Sequence, residues 1–165
     1  MSTKTAVATL AGDGLKLEVM VGSGHAIALD GSEGDAGARP AELLGAALAG
    51  CTAMDVISIL RKKRQAVDRY EVRVSGTQGE AHPYAFSRFD VVHVVDGREV
   101  DPEAVRRAIE LSATRYCAVG ATLASGAVEL HHAYLVRDAA GGERYAEVVV
   151  TGPRASGIAT ATPRG

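Results

Sequence analysis

Apolar positions fall first into three short runs, residues 6–10, 15–21 and 26–29, separated by Gly12-Asp13-Gly14 and Gly22-Ser23-Gly24. Short apolar or alternating runs between glycine turns predict three strands, and the Asp-Gly between two of them is a hairpin signal. Gly22-x-Gly24 lacks the third glycine and the following helix of a dinucleotide fingerprint, so it reads as a tight turn. Gly31 to Gly37, with Glu33 and Asp35, reads as a flexible acidic loop. The pattern then changes period. Residues 40–64 predict a helix, with Pro40 suited to its first position and Glu42 to its first turn. Leu43, Leu44, Leu48, Met54, Val56 and Leu60, with the alanines between them, leave almost no polar face. A helix apolar all round is buried inside something. Gly45 and Gly50 would permit close approach of another backbone. A chain this short has little room to enclose such a helix, so a second subunit is expected to cover it. Arg61-Lys62-Lys63-Arg64 closes the helix, where cations suit its carbonyl end.

Farther on, residues 70–77 and 86–95 predict two valine-rich strands, followed by a turn at Asp96-Gly97. Asp101-Pro102-Glu103 opens a helix with a cap, a first-position proline and a first-turn acid. Val105, Ala108, Ile109 and Ser112 keep helical spacing to about Arg115, residues 117–124 form a second short helix, and strands close the domain at 128–136 and 145–150. The whole reads as a single domain over residues 1–152, with 153–165 as a flexible tail.

Composition narrows the function classes. The 165 residues are 47% hydrophobic and 23% charged, a folded rather than disordered balance. Lys+Arg 18 against Asp+Glu 20 leaves −2, so no global basic field recruits nucleic acid. Aromatics are 4% with no Trp, which argues against base-stacking platforms. The least charged stretch, residues 43–54, falls short of the roughly 20 residues of a bilayer span. No long apolar core marks the N-terminal residues. A soluble cytoplasmic protein with no membrane partner is expected.

Two cysteines, Cys51 and Cys117, exclude a disulfide-rich scaffold, and without C-x-x-C they exclude a Cys-rich zinc site of ordinary spacing. His131 and His132 would point to opposite strand faces, and His25, His82 and His93 have no partners at ligand spacing, so no metal is expected. A free cysteine is most often a small buried hydrophobe. Here Cys51 lies one helical turn before Asp55, and Cys117 starts a short helix two residues after Arg115. A helix N-terminus and a nearby cation both favour the reactive thiolate.

At these residues the chain resembles a known family. The run from Pro40 to Val56, including Gly50-Cys51-Thr52-Ala53-Met54-Asp55, is similar to the central helix of the OsmC/Ohr family of osmotically inducible and organic hydroperoxide resistance proteins. Arg115-Tyr116-Cys117-Ala118-Val119 resembles that family's second cysteine segment, and the 66-position separation matches. His82-Pro83-Tyr84-Ala85-Phe86 leads into a comparable strand. The similarity covers roughly residues 5–135, and Cys51-Thr52-Ala53-Met54-Asp55-Val56 is closest to the YhfA-like branch.

The resemblance implies an OsmC-like α+β fold with antiparallel sheets, two central helices and an intertwined homodimer with sites at the interface. It implies a peroxidase acting in the oxidative stress response. Cys51 would attack an organic hydroperoxide, or hydrogen peroxide, and Cys117 would resolve the sulfenate to a disulfide. A dithiol reductant, lipoyl or a similar thiol, would recycle the pair, with no cofactor. The alternative is a non-catalytic dimer of the same fold that binds a small hydrophobic or thiol-reactive ligand. Peroxidase members carry a Glu ten residues before the first cysteine and an upstream Arg. Here Ala41 holds the first position, Glu42 falls on the face opposite Cys51, no Arg precedes Arg39, and Arg39 does not match the motif. Asp55 shares the face of Cys51 and would raise the thiol pKa unless Arg88 or Arg115 supplied a cation. A buried acid that pairs with such an arginine and fixes helix packing is an equal reading of Asp55.

Overall fold

The computed structural model describes residues 2–153. The tail expected from 153 onward therefore lies, beyond Pro153, outside the described residues. The chain divides into two compact units that meet in sequence after Leu44.

In the first unit, β1 (Ala6–Leu10), β2 (Leu17–Val21) and β3 (Ala26–Leu29) form an antiparallel sheet in that order. Ala6 pairs with Val21, and Leu17 with Leu29. β2 starts at Leu17 rather than Leu15, because the Gly12–Gly14 turn extends to Lys16, whose carbonyl accepts from Ala11 N at 2.9 Å. The acidic loop is held rather than free. Buried Asp30 accepts from Gly31 N at 2.7 Å and from Ala36 N at 3.1 Å, and a Cβ at Gly34 would collide with that carboxylate. Arg39 donates to Asp35 at 2.7 Å, and Glu42 accepts from Arg39 N at 2.9 Å, so Glu42 caps the following helix.

That helix, α1 (Glu42–Lys62), begins two residues after Pro40 because a tighter turn precedes it, with Leu43 N bonded to Pro40 O. It ends where Gln65 N reaches Leu60 O and Arg64 N reaches Arg61 O, with Arg64 in the left-handed region at φ 56°. Despite its uniformly apolar sequence, α1 buries one row alone, Leu48, Thr52, Val56 and Leu60 at successive i+4 steps. Met54 on the other side is 74% exposed. Gly45 faces side chains of Val74 and Phe89, and Gly50 has nothing within 4 Å. At 21 residues the helix is long and apolar enough to cross a membrane by length and composition. Residues 43–54 thus understate the apolar length of α1, which runs from Glu42 to Lys62. What marks α1 as a core helix is its buried row and the tertiary hydrogen bonding described below.

In the second unit, β4 (Val67–Gln78), β5 (Phe86–Gly97), β6 (Glu129–Arg137) and β7 (Glu143–Thr151) form one sheet in chain order. Its β4–β5 and β6–β7 pairs are antiparallel, but β5 and β6 run parallel, which corrects the expectation of purely antiparallel sheets. The cause is the long connection. After β5 the chain crosses through α2 (Pro102–Leu111), a π-turn (Ser112–Tyr116) and α3 (Ala118–Ala124), and re-enters the sheet in the same direction. The core lies on one face of this sheet. Val56, Leu60, Val105, Ile109, Tyr134 and Val148 form one cluster. Leu48, Phe89, Val91, Cys117 and Leu130 form a second, against which Cys51 packs. With two sheets and three α-helices among the described residues, the architecture is α+β.

Candidate active site

The site is built where α1 meets the end of α2. Asp101 caps α2, its side chain accepting from Glu103 N at 3.0 Å, and Pro102 takes the first turn. The α-helical ladder would carry Ser112 onward around the helix. Instead Cys117 N bonds to Ser112 O at 2.9 Å, five residues back, which widens the last turn by one residue. Cys117 then turns to extended backbone at φ −72°, ψ 101° and caps α3, its Sγ accepting from Gly120 N at 3.2 Å.

This turn brings the distant residues together. One ligand-type atom from each of Cys51, Asp55 and Cys117 lies within 4.8 Å of the other two. Cys51 and Asp55 are half-buried and Cys117 is buried. The disposition of Asp55 is set by hydroxyls that the sequence reading passed over. Ser112 Oγ lies 3.0 Å from Asp55 Oδ2 and 3.0 Å from Thr52 Oγ1. Ser112 donates to Asp55, and because a hydroxyl has one proton, Thr52 donates to Ser112. Ser112 had a readable signal, a hydroxyl at the helical spacing of an apolar face. Thr52 had the same signal in a helix without a polar face.

The electrostatics differ from expectation at Cys117. Its thiol is pushed up to about 12, first by burial, then by hydrogen bonding with Cys51 and by the charges of Cys51 and Asp55. The Gly120 N–H works in the opposite sense and is outweighed. The expected stabilisation of a Cys117 thiolate by a helix N-terminus and Arg115 therefore loses to desolvation. Arg115 is exposed in the π-turn and makes no ion pair among the described residues. Arg88 pairs with Asp90 on β5, and its position in the alternation turns it away from the face of Phe89 and Val91. Neither arginine is joined to the Cys51–Asp55–Cys117 cluster.

A second polar group joins β4, β5 and β6. The hydroxyl of Tyr70 is 2.7 Å from His93 Nδ1, and the His93 and His132 rings stack with centroids 6.2 Å apart. Burial, and then the charge of Asp55, raise the Tyr70 phenol. Burial depresses His93 to about 3 and His132 to about 4, so both rings are neutral near pH 7. Nothing in the sequence connects Tyr70 to these histidines. A tyrosine and a histidine 23 positions apart on neighbouring strands leave no local signal.

Known proteins resemble this chain in sequence and in fold. A family profile described as OsmC-like protein matches residues 31–132. Protein YhfA of Escherichia coli strain K12 is 41% identical over 114 residues, 69% of this chain and 84% of that protein. The crystal structure of a hypothetical protein from Aquifex aeolicus VF5 superposes with a TM-score of 0.74 at 26% identity, over 84% of this chain and 98% of that one. An organic hydroperoxide resistance protein from Elizabethkingia anophelis shares the fold, with a TM-score of 0.56 at 19% identity over 84% and 97% of the two chains. On the profile match and the identity to YhfA, this chain belongs to the OsmC-like family.

Proposed function

We propose that the protein is a thiol-dependent peroxidase that reduces organic hydroperoxides, or hydrogen peroxide, through Cys51 and Cys117. The observation that carries this reading is the convergence of two thiols and one carboxylate within 4.8 Å from positions 66 apart. Family membership and the fold shared with an organic hydroperoxide resistance protein support it. Cys51 is the nucleophile because it is the half-buried thiol, whereas Cys117 is buried and held protonated. The Cys51 thiolate attacks the distal peroxide oxygen, the O–O bond breaks, and the alkoxide leaves as an alcohol after taking a proton. The Cys51 sulfenic acid then condenses with the Cys117 thiol, forming the disulfide and releasing water. A dithiol, lipoyl or similar, reduces that disulfide and leaves as its own cyclic disulfide.

The working unit in this reading is a homodimer in the cytoplasm, built from one OsmC-like domain per chain. The open apolar side of α1 supports the dimer, and a reducing compartment keeps the pair as thiols between turnovers. With Ala41 where peroxidase members carry Glu, and no arginine beside the thiols among the described residues, turnover should be slower than in those members.

The test is stoichiometric. One equivalent of cumene hydroperoxide added to the reduced protein should give a species lighter by two hydrogens, with peptide mapping linking Cys51 to Cys117. Cys117→Ser should accumulate a dimedone-reactive sulfenate at Cys51, and Cys51→Ser should stay unoxidised. If both thiols stay free in folded wild type, the peroxidase reading fails, and an OsmC-fold dimer that binds a small hydrophobic or thiol-reactive ligand replaces it.

A further inference from the structure

We propose that Cys51, Cys117 and Asp55, when reduced, form a binding site for a thiophilic divalent cation of the Zn2+ class, with two thiolates and one carboxylate as ligands and a fourth position for water. The three ligand atoms already lie within 4.8 Å of one another. In a tetrahedral zinc site with Zn–S near 2.3 Å and Zn–O near 2.1 Å, ligand atoms stand about 3.5–3.8 Å apart. Side-chain adjustment of about one ångström closes that gap.

Three features of the site suit a cation of this kind. Cys51 and Asp55 project from successive turns of one helix, so two ligands are fixed by a rigid element. Ser112 hydrogen-bonds Asp55 at 3.0 Å, the outer-sphere support that orients ligating carboxylates. Cys51 is half-buried, which leaves a side open for the water and for the ion to enter. Two thiols with one carboxylate select a soft or borderline ion over Mg2+ or Ca2+. Once both thiols have lost their protons to the ion, a divalent charge offsets most of that on the three ligands, and no arginine or lysine pairs with Asp55 among the described residues to compete for the carboxylate. Binding releases the two thiol protons.

The sulfurs that would hold the ion are those that would form the disulfide, so metal binding and oxidation exclude each other. The cation-binding claim stands on the geometry alone. Its consequence, protection of the thiols from peroxide, rests on the peroxidase reading above. Local spacing hides such a site, since its ligands come from positions 51, 55 and 117 without any C-x-x-C.

Anaerobic titration of the reduced full chain with Co2+, a spectroscopic substitute for Zn2+, tests the inference. Thiolate-to-cobalt charge-transfer absorption should appear, saturate at one ion per chain, and be bleached by one equivalent of Zn2+. Diamide-oxidised protein should give no such band. Cys51→Ser should lose about half of the charge-transfer intensity, and Asp55→Asn should weaken binding by about tenfold or more. Circular dichroism identifies any variant that fails to fold, and Cys51→Ser, altering a half-buried side chain by one atom, decides the matter if Cys117→Ser does not fold. Absence of the band in folded wild type, or an undiminished band in Cys51→Ser, overturns the site. Peroxide oxidation of chelator-treated protein is measured separately. If those thiols resist peroxide yet the cobalt band forms, the redox reading fails and the metal site stands. If both hold, one equivalent of Zn2+ should slow oxidation at least tenfold.

Discussion

The two sheets are made of similar residues and use them differently. Every residue of β1 is exposed, with Val7 and Leu10 among the most open large apolar side chains of the described residues. In the second sheet, β6 buries Leu130, His132, Ala133, Tyr134 and Val136, and the parallel β5–β6 pair lies against packed helices. Both regions carry the apolar runs that predict strands. Only the second also has its own helices to cover one face, which is what an α+β sheet requires to build a core. The first sheet and the open side of α1 thus share one property, exposed apolar side chains. Patches of this kind mark interaction surfaces.

Mutating each region's apolar residues gives the largest contrast. Ile109→Ala, at a fully buried position, should cost about 2–5 kcal/mol in denaturant unfolding at any protein concentration. Val7→Ala should cost no more than about 0.5 kcal/mol in dilute solution. If copies associate through this surface, that cost grows as concentration rises. Equal costs at the lowest concentration would break the distinction between the sheets.

Acid should act on the second sheet through its buried rings. His93 and His132 have folded pKa values below that of a free histidine, so the unfolded chain binds protons that the folded chain refuses. Stability is therefore full above about pH 6.5 and lost as pH falls toward 4, with a slope near 1.4 kcal/mol per pH unit for each ring. Urea midpoints measured from pH 7 to 4.5 should show this, and His132→Phe should make the slope shallower. An unchanged slope in that variant would remove the histidine from the account.

Smaller effects sharpen the picture within the second unit. Ser112→Ala removes the donor to Asp55 and the acceptor for Thr52, and should cost about 1–3 kcal/mol. Thermal unfolding would check it, and a neutral result would mean that the hydroxyl chain does not join α1 to the π-turn. The smallest effect has the opposite sign. Arg64 occupies a left-handed position at the end of α1 that glycine prefers. Arg64→Gly should leave the site untouched and stabilise the chain by up to about 1 kcal/mol.

Much of this molecule was legible in its sequence, because helices and strands follow local periodicity and turn chemistry follows local residue type. The strands β1 and β3, the Asp101-Pro102 start of α2 and the position of Cys117 at the head of α3 all match the pattern of residues that make them. The cysteine segments were enough to identify the family. Tertiary structure decided the rest. The parallel β5–β6 pairing depends on where the crossover returns the chain, which no short window of sequence encodes. The one buried row of α1 depends on what packs beside a helix whose own pattern offers no preference. The state of Cys117 depends on competition between a local helix start, visible in sequence, and desolvation by Phe89, Val91 and Leu130, which is not. Asp55 followed the same logic. The sequence placed it one turn from Cys51, but only the fold supplied Ser112 rather than an arginine as its partner. Local chemistry is written along the chain, whereas dielectric environment and partner choice belong to residues brought together from far apart.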